Sequence, residues 1–108
     1  MVRVKLATLS QLPPGALLHA EYNGDPYVLC NVEGQIHALD GFCPHNGAPL
    51  GQGALHGSTI VCPWHAWEFD CHTGQCGLSE VIQIAKFPVT LSGEDVLVDV
   101  PGSGEQGR

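Results

Sequence analysis

Positive charge is scarce in this chain: four Lys and Arg stand against eleven Asp and Glu in 108 residues, a formal charge of −7. An acidic surface of this kind disfavours DNA and anionic lipid and suits a protein with a basic docking patch, so neither nucleic acid nor membrane is expected as a partner. No apolar run approaches the roughly eighteen residues of a membrane helix. A signal peptide's apolar core is missing too, because Met1 to Leu6 moves straight into strand alternation, which points to a cytoplasmic protein. Helical periodicity is absent throughout, leaving strands and turns as the building material. Five cysteines are an odd number, and in a reducing compartment they argue for metal ligation over a disulfide framework. A chain of this length forms a modest core, and small cores often lean on a bound metal.

Strand signals fill the first forty residues. Val2 to Leu6 alternates, Gln11 to Gly15 turns, and Ala16 to Tyr22 and Pro26 to Val32 flank Asn23-Gly24-Asp25, a hairpin signal. Gln35 to Leu39 adds a further strand after the turn at Glu33-Gly34. Cys30, inside an apolar strand, reads as a free core cysteine. Later strands are predicted near Ala54 to His56, Ser58 to Val61, Trp67 to Phe69, Val81 to Phe87, Val89 to Leu91 and Asp95 to Val100. In the last of these, Val96, Val98 and Val100 share one face. Pro101 to Arg108 is Gly-rich and polar and is expected to be disordered. His37 and His56 read as structural or surface histidines, and Cys71 and Cys76 could approach one another across a turn at His72 to Gln75.

Chemistry concentrates between Cys43 and His65. Cys43-Pro44-His45 is followed by sixteen residues, Asn46 to Val61, and then by Cys62-Pro63-Trp64-His65. Either half alone is a weak signal. Together, with Gly47, Pro49, Gly51 and Gly53 keeping the spacer in loop form, they point to one metal site on two loops. Pro44 and Pro63 favour the tight turns that let a thiolate and an imidazole face one centre. Two thiolates and two imidazoles suit either tetrahedral zinc or an iron-sulfur cluster in which His replaces Cys on one iron. Zinc sites usually take like ligands from one turn, whereas here each turn supplies one Cys and one His, which fits two irons better.

These residues resemble the Rieske [2Fe-2S] family, whose signature C-x-H, about sixteen residues, C-x-x-H is matched in full. The resemblance runs from about Val2 to Val100 and includes Trp67-Glu68-Phe69-Asp70 and Thr73-Gly74. It implies that Cys43 and Cys62 bind one iron and that His45 and His65 bind the other. It also implies an all-β fold: an antiparallel sandwich or barrel-like base with a small cluster-binding part at about 43–69, in one domain of residues 1–100. The respiratory branch carries a disulfide between its ligand loops, but Ala48 and Trp64 stand at those positions here. Trp67 and Phe69 replace hydroxyl donors of that branch, which implies a potential toward the low end of the Rieske range of about −150 to +300 mV. The usual proline of the third loop, near Gly77 to Val81, is missing.

This pattern is similar to the soluble ferredoxins of bacterial ring-hydroxylating dioxygenase systems. It implies an electron carrier, not an enzyme, that takes electrons from a flavin-dependent reductase and passes them to a terminal oxygenase. The second domain that would hold a mononuclear iron has no room after residue 69. The alternatives are the small subunit of an assimilatory nitrite reductase and a structural zinc module. Trp64, Asn46 and Leu50 are the expected docking rim.

Overall fold

The computed structural model describes residues 1–44, 47–64 and 67–102. Among the described residues ten strands build three antiparallel sheets, whose order follows from which residues can be buried on two faces and which on one. Strand β3 (Asp25–Val32) lies between β2 (Leu17–Tyr22) and β4 (Gln35–Asp40), with β8 (Lys86–Phe87) on the outer side of β4. Tyr27, Val28, Leu29 and Cys30 of β3 are all fully buried. Their side chains alternate between two cores, so this sheet is the middle layer.

On one side, Tyr27, Leu29 and Ala38 pack with Val96, Val98 and Val100. Those valines form one face of β10 (Asp95–Val100), which pairs with β1 (Val2–Thr8) and β9 (Val89–Ser92). Each buried valine contributes about 1.5 kcal/mol or more through burial of apolar surface. A register shift between Lys5 and Ala7 breaks the β1–β10 ladder and keeps Ala7 inward. Arg3 and Lys5 on the solvent side of β1 pair with Asp99 and Asp95 at 2.9 and 3.2 Å.

On the other side, Val28, Cys30 and Leu39 meet Ile60 and Phe69. These come from β5 (Ala54–His56), β6 (Thr59–Val61) and β7 (Glu68–Asp70), the small sheet that carries the ligand loops. The expected all-β base with a small added part is what the strands build.

The hairpins behave as their turn residues require. Asn23 and Gly24 both have positive φ, 54° and 80°, as do Glu33 and Gly34 at 53° and 94°. Asn31 is buried, and its amide is used on both sides: Nδ2 donates to the Leu12 carbonyl at 2.7 Å and Oδ1 accepts the Gly34 N–H at 2.7 Å. The strand predicted over Val81 to Phe87 shrinks to β8. Its first half is diverted, because the Ile82 carbonyl accepts the Cys76 N–H and the Ile84 N–H donates to Gly74. Among the described residues no helix is long and apolar enough to cross a membrane. Of the tail predicted to be disordered, residues 103–108 lie outside those described.

Candidate metal centre

The first ligand loop leaves β4 at Gly41 and doubles back on itself. The Gly47 N–H donates to the Cys43 carbonyl at 2.8 Å and the Cys43 N–H to the Ala48 carbonyl at 3.0 Å. Leu50 N–H then returns to the Gly41 carbonyl at 2.9 Å, closing the loop at its base. Two glycines let this loop sit close to its supports. A Cβ on Gly51 would lie 2.5 Å from the His19 Cα, and one on Gly53 would lie 2.0 Å from the Val61 carbonyl oxygen. The second loop is shorter, and its ends are joined by the Cys62 N–H donating to the Trp67 carbonyl at 2.7 Å.

Both loops deliver a sulfur to one place. Cys43 is fully buried, Cys62 nearly so, and the two thiols are close enough to influence one another's protonation. Burial pushes the Cys62 thiol up from its ordinary value. The Trp64 backbone N–H, donating to the same sulfur, works against that, and the contact with Cys43 adds to the rise. A donor aimed at sulfur stands where thiolate charge would reside. Two soft donors, buried together and held by closed backbone turns, fit a thiophilic metal group.

Of the four predicted ligands, Cys43 and Cys62 are brought together. His45 and His65 lie outside the described residues, as does Asn46 of the expected rim. Among the described residues no three His, Cys, Asp or Glu side chains gather as a metal site. Trp64 is exposed as expected for a docking residue, at 52%. Leu50 is not: its short 3-10 turn directs it inward, where it is fully buried. Phe69, at one of the positions without a hydroxyl, is buried in the same core as both cysteines.

The third loop lacks its proline but is anchored otherwise. Gln75 Nε2 donates to the carbonyls of Ser79 at 2.6 Å and Ile82 at 3.1 Å, and the Gly77 N–H donates to the Glu68 carbonyl. Nothing in the sequence singled out Gln75, because an amide in a polar turn gives no signal of which carbonyls it will reach. Leu78 and Val81 on this loop are strongly exposed. Cys71 and Cys76, which could approach one another across the turn, are both free and take other partners: the Cys76 sulfur accepts the Leu78 N–H, and Cys71 lies against Cys30. His37 is buried and structural, and His56 is exposed.

A family model described as the Rieske [2Fe-2S] domain matches residues 2–88. The ferredoxin component of a naphthalene 1,2-dioxygenase system from Pseudomonas aeruginosa is 35% identical over 98 residues, covering 90% of this chain and 94% of that one. Among solved structures, the ferredoxin of carbazole 1,9a-dioxygenase from Nocardioides aromaticivorans IC177 is similar with a TM-score of 0.81. Its identity is 32%, with 91% of this chain and 97% of that one covered. A chain in the complex of reduced oxygenase and oxidised ferredoxin of carbazole 1,9a-dioxygenase is similar with a TM-score of 0.82. There the identity is 28%, with 90% and 92% covered.

Proposed function

The chain belongs to the Rieske [2Fe-2S] domain family, and from that membership we propose that it is a ferredoxin carrying single electrons from a flavin-dependent reductase to a terminal oxygenase. The carrying observation is the buried, neighbouring pair of free cysteines Cys43 and Cys62 at the mouths of two closed loops. Each is followed two or three positions later by a histidine. The group it serves, a [2Fe-2S] cluster, supplies a reversible one-electron couple when bound. In this reading Cys43 and Cys62 hold one iron, and His45 and His65 hold the other. The chain's part is to bury the sulfurs from water, to aim the Trp64 N–H at one of them, and to leave Trp64 at the surface for a partner.

The chain catalyses nothing itself in this proposal, and its partners are the two proteins with which it exchanges electrons. Residues 1–100 act as one cluster-carrying unit, with its cluster-binding part at about 43–69. A cytoplasmic setting suits five free thiols. The reading as a nitrite reductase small subunit is weaker, because relatives at 32 to 35% identity carry the names of dioxygenase ferredoxins.

The test is reconstitution with iron and sulfide. Wild-type protein is expected to hold two irons and two acid-labile sulfides, to show the visible spectrum of such a cluster, and to support reductase-driven turnover of a ring-hydroxylating oxygenase. Cys62→Ser and His65→Cys are each expected to lose that native spectrum. A two-iron spectrum unchanged in both variants would sink the ligand assignment.

A further inference from the structure

A second sulfur pair lies between the middle sheet and the ligand-bearing sheet and takes no part in the site above. Cys30 in β3 and Cys71 in the turn after β7 are both fully buried, with their Sγ atoms 3.1 Å apart. Forty-one positions separate them in sequence, and both are free thiols. Cys30 faces His37 across the β3–β4 ladder, and the His37 ring packs edge-on against His72 at 4.8 Å. Among the described residues no three ligating side chains gather here as a metal site.

The two thiols are not equivalent. The hydrogen bond from Cys30 draws the Cys71 thiol below its ordinary value, against the opposing effect of burial. The Cys30 thiol is driven far up by the same bond and then by burial. A hydrogen bond between two sulfurs favours a thiolate on the one that accepts, and these directions favour Cys71 as the acceptor. Neither sulfur is exposed, and a cleft of about 460 Å³ lined by Val32, Gly57, Ser58 and His72 among others lies next to the pair, His72 being the residue after Cys71. The carbonyl of Ser58 accepts the Cys71 N–H at 2.9 Å, so the cleft wall and the cysteine share a hydrogen bond.

We infer that Cys30 and Cys71 are an oxidation site: a dithiol that hydrogen peroxide converts to a disulfide, stapling the middle sheet to the sheet that carries the second ligand loop. The Cys71 thiolate attacks one peroxide oxygen, the O–O bond breaks, and the departing hydroxide takes a proton to become water, leaving Cys71 as sulfenic acid. The Cys30 sulfur then attacks the Cys71 sulfur. The S–S bond forms as the S–O bond breaks, and the Cys30 proton leaves with the hydroxide as a second water. Two thiols are oxidised by two electrons and one peroxide is reduced to two waters.

Cluster-loaded, full-length protein is treated with one equivalent of hydrogen peroxide, unfolded in alkylating reagent, digested and mapped by mass. The expected product is a Cys30–Cys71 linked peptide, removed by dithiothreitol, from protein that keeps its visible spectrum. Thermal unfolding of the treated protein is expected to rise by roughly 10 °C, because the bridge closes a loop of about forty residues. That rise is expected to be absent in Cys30→Ala and in Cys71→Ala. The inference is overturned if both cysteines are alkylated after treatment, if Cys71 is oxidised without joining Cys30, or if any disulfide forms only in bleached protein. Mapping the wild-type chain decides the matter even where a variant does not fold.

Discussion

His37 shows what one buried side chain can cost. It is 4% exposed, and its Nε2 has no hydrogen-bond partner among the described residues. Its pKa is lowered, first by burial and then by Lys86 and His72, with Asp70 alone acting the other way. The folded state therefore binds the proton less readily than the unfolded chain, whose histidine titrates near 6.5. Stability then rises with pH: it is whole above about 6.5 and declines as pH falls through that value toward the lower folded one. We expect the thermal midpoint of the wild-type protein to fall from pH 7 to pH 5, and His37→Gln to show a shallower fall over the same range. Equal slopes for the two proteins, measured by thermal unfolding in matched buffers, would remove His37 as a cause.

Among the elements, the ligand loops were the most legible part of the chain and the third loop the least. Pro44, Pro63 and the spacer glycines announce turns because each restricts or frees the backbone locally. Even so, the spacing alone did not reveal which glycines are required. Gly53 and Gly57 look alike in sequence, but a Cβ on Gly53 meets the Val61 carbonyl oxygen, whereas one on Gly57 meets nothing within 4 Å. Gly53→Ala is therefore expected to cost about 1 to 3 kcal/mol through forced movement of the loop against β6. Iron content per chain should fall with it. Gly57→Ala should cost only about 1 kcal/mol, from its positive φ, and leave iron content unchanged. Atomic iron analysis beside denaturant unfolding separates these outcomes.

The segment from Val81 to Phe87 was misread for a related reason. Its apolar alternation resembles a strand, but the partner that claims its backbone is the 74–76 turn, a tertiary choice that no local pattern records. The meeting of Cys30 with Cys71 was equally hidden, because cysteine spacing carries no information about which strands will face one another. In contrast, Val96, Val98 and Val100 were read correctly from alternation alone, since a two-residue period and one buried face leave a single solution.

Across the whole molecule the ligand loops are an uncharged stretch of an acidic chain, and this contrast should divide how a partner is found from how it is held. The chain is strongly acidic, and Arg3 and Lys5, two of its four bases, are engaged with Asp99 and Asp95 on β10. The ligand loops at 41–53 and 62–67 contain no charged Lys, Arg, Asp or Glu, and they expose Phe42 and Trp64 instead. A long-range acidic field steers encounter with a basic partner and is screened by salt, whereas a desolvated aromatic contact sets how long the complex lasts. Raising ionic strength should therefore slow association with the oxygenase by about tenfold while leaving dissociation nearly unchanged. Trp64→Ala should do the reverse, weakening binding by roughly tenfold through faster dissociation, as loss of a central aromatic anchor does. Its salt dependence should match that of the wild-type protein. Stopped-flow or surface-binding kinetics over a salt series measure both rates, and a Trp64→Ala protein that loses its salt dependence while dissociating at the wild-type rate would show that the two roles are not divided in this way.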